Sequence, residues 1–328
     1  MRTRLFCCIA AILAAGCGKE GTGAGPGPTV VDQIAYLAGG NLDLLGISRV
    51  AVDGSAPREV ISPRDSVYTF AWSPDGQRMA YRRNRKPGIW IVAADGGTPQ
   101  QVYPDQTVII GPEWSPDGGS VLFTAFDGHT AEIALVAGRA DGSRLTRLAR
   151  DSARQGVWSP RGDVIAFATE HGIYLVNPSG TGLRPLRTGL KDPYWLEWAP
   201  DGSRLAFDAN AGGQIDVMVL GLDGVLVNVS DSPAEDRYPH WAPDSRRLAF
   251  DSDRTGGRQT CLVNADGSEL AQPAFLAGAA QLHWSPNARL VAFYRDRGLY
   301  VATPEGAELR TVAPPPLVYG PPMWRPRR

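Results

Sequence analysis

The feature that most constrains this chain is a short motif, Trp-x-Pro, that recurs seven times. Successive tryptophans lie 42, 44, 40, 43, 43 and 40 residues apart, a spacing too regular for chance. The seven are Trp72, Trp114, Trp158, Trp198, Trp241, Trp284 and Trp324. A repeat of this length is one supersecondary unit that buries its apolar faces against its neighbours. The chain is therefore expected to be an array of such repeated units.

Each unit predicts four antiparallel strands. The first copy reads Trp72-Ser73-Pro74-Asp75-Gly76, in which proline, aspartate and glycine occupy the positions that β-turns favour. An alternating apolar strand follows every turn, and a second apolar strand comes about ten residues later. Most of these second strands end in Asp-Gly, a strong hairpin signal. Four strands in about 42 residues are the size of a β-propeller blade.

The two ends of the repeat region complement each other. Residues 34–37 resemble the strand that normally follows the turn, and residues 42–52 resemble the strand after it. The innermost strand missing from this first unit is supplied near residues 318–324. A blade shared between both ends closes the ring and hides two sheet edges. The sequence thus predicts an all-β, seven-bladed β-propeller, with six blades and decorative end segments as the alternative.

The units resemble the TolB-type (WD-like) propeller repeat, whose hallmark is a strand ending in Trp-Ser-Pro-Asp-Gly and then an Ile-Ala-Phe-like strand. Residues 252–257 also resemble a Ser-Asp-Arg-Gly loop common in that family. The resemblance covers residues 31–325 and implies the fold, not a function. The chain is expected to depart from TolB itself in three ways. It lacks the additional N-terminal α/β domain, it carries a lipobox-like pattern near its start, and it has seven blades where TolB has six.

The start of the chain predicts export. Arg2 and Arg4 precede an apolar run over residues 5–15, which is shorter than the roughly 20 residues of a membrane-spanning helix. Small residues then lead to Cys17, a pattern that resembles a lipobox. We therefore expect a lipoprotein signal peptide over residues 1–16 and lipidation, including palmitate, at Cys17. The alternative is an ordinary signal peptide that contains a cysteine.

The expected mature chain has a tether and one domain. Residues 17–30 are rich in glycine and proline and predict a flexible tether, so that residues 31–328 form the propeller. Gly18 stands where aspartate would oppose sorting to the outer membrane in the Gram-negative pattern. The expected location is the cell envelope, lipid-anchored at the outer membrane and facing the periplasm. The expected partners are the membrane, through Cys17, and an envelope protein or glycan.

Charge and motif content narrow the function classes. The chain carries 33 Lys and Arg against 34 Asp and Glu, so no basic surface for nucleic acid is expected. No nucleophile elbow, His-Glu-x-x-His motif or zinc-binding cysteine pair occurs, and no hydrolase domain is expected after the last repeat. The sequence predicts no cofactor, no metal and no catalytic residue.

One constellation could carry chemistry. The residues immediately before the repeat tryptophans lie at equal radius near the axis of a propeller. In chain order they are Ala71, Glu113, Val157, Glu197, His240, His283 and Met323. Glu113, Glu197, His240 and His283 are therefore the candidate axial ligand-binding residues, or simply hydrogen-bonded between blades. A second acidic group, Asp251-Ser252-Asp253, is interpreted as a loop-ordering device, with calcium binding as the alternative.

Two functions from different classes follow. The first is a non-catalytic periplasmic binding or scaffold lipoprotein, because the repeat accounts for nearly every residue and propellers bind through loops and a central funnel. The second is a propeller-type polysaccharide lyase or hydrolase that uses the axial Glu/His ring. The sequence favours the first.

Overall fold

The computed structural model describes residues 32–41, 44–84, 86–127, 132–149, 153–314 and 318–326. Within these residues the chain forms 27 β-strands and two short 3-10 turns, Pro63–Asp65 and Ala274–Leu276. The strands build seven separate antiparallel sheets. The described residues include no helix long and apolar enough to span a membrane.

Blade 1 joins the two ends of the propeller. Its sheet has the order β27-β1-β2-β3. The strands are β1 (Gln33–Asn41), β2 (Leu44–Ala51), β3 (Arg58–Ile61) and β27 (Val318–Trp324). Ile34 pairs with Trp324, and Ala38 pairs with Val318, in antiparallel register. The prediction of seven blades with a shared closing blade is confirmed, and the six-bladed alternative does not hold.

Blades 2 to 4 use consecutive strands, with the repeat tryptophan ending the first strand of each. Blade 2 contains β4 (Val67–Trp72), β5 (Arg78–Arg83), β6 (Ile89–Ala93) and β7 (Gln100–Val102). Blade 3 contains β8 (Thr107–Trp114), β9 (Ser120–Asp127), β10 (Glu132–Arg139) and β11 (Leu145–Ala149). Blade 4 contains β12 (Gly156–Trp158), β13 (Ile165–Thr169), β14 (Gly172–Val176) and β15 (Arg184–Thr188).

Blades 5 to 7 repeat this order with one variation. Blade 5 contains β16 (Lys191–Trp198), β17 (Arg204–Asn210), β18 (Ile215–Gly221) and β19 (Leu226–Asn228). Blade 6 contains β20 (Asp236–Trp241), β21 (Arg247–Ser252) and β22 (Gln259–Asn264). Blade 7 contains β23 (Ala280–Trp284), β24 (Val291–Arg295), β25 (Gly298–Ala302) and β26 (Arg310–Ala313). Among the described residues, blade 6 has only the bridge Leu262–Ala271 where the others have an outer strand, and Pro273, which lacks an N–H, follows it.

The core lies between the blades. The second strand of most blades carries a fully buried aromatic residue at the same repeat position: Tyr81, Phe123, Phe207, Phe250 and Phe293. Burying one such side chain stabilises the fold by about 2 kcal/mol, so the set contributes substantially. Cys261 is a buried free thiol in the cluster between blades 5 and 6. The alternation of buried and outward residues therefore holds neighbouring sheets face to face.

Candidate functional site

Five of the seven repeat tryptophans link their blade to the one before it, and the indole N–H groups of Trp158 and Trp284 have no hydrogen-bond partner among the described residues. The indole N–H of Trp241 donates to the backbone oxygen of Glu197, in the preceding blade, at 3.2 Å. Equivalent bonds are made by Trp72, Trp114, Trp198 and Trp324, at 2.9 to 3.3 Å. The acceptor is always the residue before the neighbouring tryptophan. This residue is therefore fixed at the inner edge of its blade.

Three of the four predicted axial residues contact one another. Nδ1 of His240 lies 2.8 Å from Oε2 of Glu197, and both side chains keep part of their surface exposed. The rings of His240 and His283 pack with centroids 3.8 Å apart and an angle of 38° between their planes. Burial, and then the neighbouring His240, hold the pKa of the His283 imidazole well below its usual range. These three side chains, one each from blades 5, 6 and 7, thus form one polar arc: Glu197, His240 and His283.

Glu113 lies outside that arc. Its Oε1 accepts a hydrogen bond from the backbone N–H of Trp158 at 2.9 Å. Loss of contact with bulk water, with a smaller contribution from Glu197, raises the pKa of the Glu113 carboxyl to about 8. This carboxyl is therefore neutral at pH 7. Among the described residues no group of three or more His, Cys, Asp or Glu side chains is arranged to hold a metal ion.

The innermost strands of four blades are bulged three residues before the tryptophan. Trp195, Tyr238 and Gln281 have φ of 52°, 58° and 53°, and Gly111 has φ of 99°. The strand register shifts at the same places. Bulges re-aim side chains and are common beside binding sites. Left-handed φ is uncommon for residues other than glycine, so other contacts must hold the first three in place.

Buried carboxylates hold two of these bulges. Asp208 accepts a hydrogen bond from the backbone N–H of Tyr238 at 3.3 Å, and Asp251 accepts one from that of Gln281 at 3.0 Å. Burial raises the pKa of Asp208 to about 7 and that of Asp251 to about 6. Asp253 likewise accepts from the N–H of Glu235 at 3.0 Å. These contacts support the loop-ordering interpretation of Asp251 and Asp253.

Four aromatic side chains line the mouth of the channel, and we call Tyr68, Tyr194, Trp195 and Tyr238 the aromatic rim. Trp195 stands edge-on to Tyr194 and to Tyr238, with centroids 5.4 and 4.9 Å apart. Tyr68 is 61% exposed and Trp195 is 40% exposed. The rim was not among the residues predicted from the sequence, where its only signal is an aromatic residue three or four positions before a repeat tryptophan.

Two adjoining cavities open beneath the rim. The histidine cavity, about 250 Å³, is lined by Glu197, His240, His283 and Gln281. The arginine cavity, about 330 Å³, is lined by Arg82, Glu113, Tyr68 and apolar residues. Both cavities include Gln155, Trp195 and Met323 in their walls. The candidate site is therefore the channel mouth with these two cavities.

Structures of known proteins share this architecture. TolB from Acinetobacter baumannii superposes with a TM-score of 0.58 at 20% identity, over 72% of this chain and 62% of that one. The fold is a TolB-like β-propeller. An oligogalacturonate lyase in complex with manganese superposes with a TM-score of 0.66 at 14% identity, over 79% of this chain and 82% of that one. No protein-family model and no curated protein matches the sequence.

A second oligogalacturonate lyase, from Vibrio parahaemolyticus, superposes on this TolB-like propeller with a TM-score of 0.64. The two chains are 14% identical, and the match covers 84% of this chain and 85% of that one. Identities this low establish the fold alone, and this propeller spans only 62% of the A. baumannii TolB chain. The function must be argued from the channel mouth itself.

Proposed function

We propose that this propeller is a non-catalytic binding module of the cell envelope that takes its ligand at the channel mouth. The observation that carries the proposal is the aromatic rim above two cavities. Exposed aromatic side chains on a rigid scaffold are typical of binding surfaces, because large rings gain contact area with little loss of conformational freedom. An envelope protein or a glycan is the expected partner class.

The strongly perturbed carboxyls support binding rather than catalysis. Glu113 accepts from the N–H of Trp158, while Asp208 and Asp251 accept from backbone N–H groups of the next blade. Perturbed pKa values mark functional sites only when the group is available to a substrate. Here each shifted carboxyl already accepts a backbone hydrogen bond that holds an inner strand, and burial, which opposes that bond, raises its pKa.

The proposed envelope location rests on the predicted signal and on Cys17, which lie outside the described residues. A lipidated Cys17 followed by a flexible tether would hold the propeller at the outer membrane, facing the periplasm. Cells grown with labelled palmitate should incorporate the label into the wild-type chain and not into Cys17→Ala. Label retained in the variant would remove the anchor from this proposal.

The binding role is tested at the rim. The double variant Tyr68→Ala/Trp195→Ala should lose capture of envelope proteins and binding to a glycan array. The matched control is Leu222→Ala/Val225→Ala, because these side chains are 46% and 59% exposed and line neither channel cavity. Equal binding by both double variants would contradict a binding role for the rim.

A second candidate, a polysaccharide lyase or hydrolase, is favoured by one observation. His240 contacts both Glu197 and His283 at the wall of the histidine cavity. Histidine is a common general acid or base and a common metal ligand. Product release from polygalacturonate and elemental analysis of the purified protein for transition metals test this candidate. An activity unchanged in His240→Ala/His283→Ala would dismiss the axial ring as its source.

A further inference from the structure

We propose that the arginine cavity binds the carboxylate of an apolar or aromatic acid, with Arg82 as the anion anchor. The inference rests on the proposed binding function and names the class of ligand that the channel mouth takes. It is carried by three observations: the contacts of Arg82, the walls of the cavity beside it, and the rim above it.

Arg82 retains hydrogen-bonding capacity that the fold does not use. It is half-buried, and its Nη1 donates to the backbone oxygen of Val108 at 3.0 Å. Its Nε is buried and has no hydrogen-bond partner among the described residues. Within the same part of the chain, no carboxylate forms an ion pair with it. A buried guanidinium N–H without an acceptor is costly, and because Arg82 lines the cavity, a carboxylate bound there would offset part of the cost of burying its charge.

Other arginines of the fold differ from Arg82 in having a carboxylate partner, although Nε of Arg49 and of Arg83 likewise lacks a hydrogen-bond acceptor among the described residues. Arg83 contacts Asp65 at 3.2 Å, Arg49 contacts Asp95 at 2.6 Å, and Arg254 contacts Asp236 at 3.0 Å. Each of these guanidinium groups is therefore neutralised by a carboxylate of the chain. The guanidinium of Arg82 instead stacks over the exposed ring of Tyr68, 4.4 Å from its centroid. This stacking fixes the plane of the group, which prepares it to accept a carboxylate.

The cavity walls indicate that the part of the ligand beyond its carboxylate is apolar. They include Phe70, Ile109, Ile110, Pro112 and Met323, which offer apolar contact. A sugar needs hydrogen-bond partners for several hydroxyl groups, and although Thr69, Thr124 and Gln155 are part of the wall, most of the surface that faces this cavity is apolar. At about 330 Å³ the cavity lies at the small end of the range for small-molecule sites. An apolar or aromatic body therefore fits better than a uronic acid.

The nearby carboxyl does not oppose an anion. Glu113 lines the same cavity, and its pKa is raised to about 8 by burial, so it is uncharged at pH 7. It would neither neutralise Arg82 nor repel a bound carboxylate. Two sources share the proposed ligand chemistry: a free small acid, and the C-terminal residue of a peptide.

The test compares matched probes on the full chain by isothermal titration calorimetry. N-acetylphenylalanine and its amide share one body and differ in charge, and Ala-Ala-Phe with a free or amidated end provides the peptide arm. We expect each acid to bind at least about tenfold tighter than its amide, because only the acid makes charge-assisted hydrogen bonds. Tighter binding of the peptide acid than of N-acetylphenylalanine would identify a chain end, and weaker binding a free acid.

Arg82→Gln should abolish the preference for the acid while the amide binds as before, because glutamine is neutral and keeps a polar side chain at this position. Arg154→Gln is the matched control, because this arginine lies near Tyr194 but pairs with Asp192 at 2.9 Å. It should keep the preference. The wild-type comparison of acid with amide needs no variant, so it decides the question even if Arg82→Gln misfolds.

Several results would overturn the inference. These are equal affinity for acid and amide, no binding of any acid, an acid preference that survives Arg82→Gln, or galacturonate binding tighter than N-acetylphenylalanine. If Tyr68→Ala/Trp195→Ala still loses its envelope or glycan ligand, the binding function stands and only the carboxylate assignment fails. If that variant retains the ligand, the binding function itself fails.

Discussion

The channel has a histidine side, beside the histidine cavity, and an arginine side, beside the arginine cavity. The same repeat position accepts a hydrogen bond on the first side and donates one on the second. The residue ten positions after the repeat tryptophan bridges to the inner strand of the next blade. On the histidine side it is Asp208 or Asp251, which accepts from a backbone N–H. On the arginine side it is Arg82, which donates to the backbone oxygen of Val108. The scaffold is symmetric, but the direction of the hydrogen bond made at this position reverses between blades.

The difference shows where binding capacity remains. Asp251 uses both carboxylate oxygens, at 3.0 and 3.2 Å from the N–H of Gln281, and Thr260 adds a third contact. Arg82 makes one backbone hydrogen bond and leaves its Nε without a partner among the described residues. The carboxylates therefore serve the fold, whereas the guanidinium of Arg82 lines the arginine cavity without a carboxylate partner among the described residues.

The largest expected effect concerns pH on the histidine side. Asp208 keeps its proton up to about pH 7 when folded, whereas its ordinary pKa is 3.8. The folded state therefore binds the extra proton between these values, and the free energy of unfolding should fall as pH rises from 4 to 7. The loss attributable to Asp208 is at most about 4 kcal/mol. Asp208→Asn should make this part of the curve less steep in urea denaturation, and the raised pKa values of Asp251 and Glu113 account for the slope that remains.

The turn aspartates provide the internal contrast for this experiment. Hydrogen bonds from Ser115 and Gly119 hold the pKa of Asp117 below its usual range, so its contribution is lost as pH falls. Asp117→Asn should therefore reduce the loss of stability that occurs as the pH falls into the acid range. This is the opposite of the effect expected at Asp208, where stability is lost as the pH rises. A stability profile of Asp208→Asn parallel to that of the wild type from pH 4 to 7 would contradict the assigned role of Asp208.

The next effect tests whether the carboxylate of Asp251 serves the stability of the fold. Asp251→Ala should lower the free energy of unfolding by about 2 kcal/mol, because the N–H of Gln281 loses its buried acceptor. Asp251→Asn, which keeps an acceptor oxygen, should recover most of the loss. Guanidinium denaturation at pH 7 measures both. If Asp251→Ala were as stable as the wild type, the carboxylates on the histidine side could not be distinguished from Arg82 by their role in the fold.

A smaller effect is expected on the arginine side. Arg82→Ala should change the free energy of unfolding by about 1 kcal/mol or less, because one backbone hydrogen bond and one contact with Tyr68 are lost while an unsatisfied Nε disappears. The same denaturation series measures it beside Asp251→Ala. A loss as large as that of Asp251→Ala would make Arg82 a structural residue.

The smallest expected effect lies in the stacked histidines. Burial is the larger cause of the low pKa of His283, and His240 is the smaller one. His240→Ala should therefore raise the pKa of His283 yet leave it below 6.5, as followed by the imidazole proton shifts in an NMR titration. A return to 6.5 or above would show that His240 dominates.

Sequence reasoning predicted one part of the site and missed another. The position before each tryptophan was assigned to the axis, and Glu197, His240 and His283 do meet there. It could not predict that Glu113 turns to the N–H of Trp158 instead, because that choice depends on a side-chain direction within one blade. The bulges at Trp195 and Tyr238 were also missed, since left-handed backbone at a non-glycine residue leaves no local signal.

The sequence by itself determined the repeat, the blade count and the closure of the ring, because turn chemistry and a 42-residue period are properties of short segments and their spacing. Only the tertiary structure decided which side chains from neighbouring blades meet around the channel. Contacts such as Asp208 with Tyr238, or Arg82 with Val108, join residues 26 to 30 positions apart. Their geometry depends on bulges and on the packing of one blade against the next, which the period does not encode.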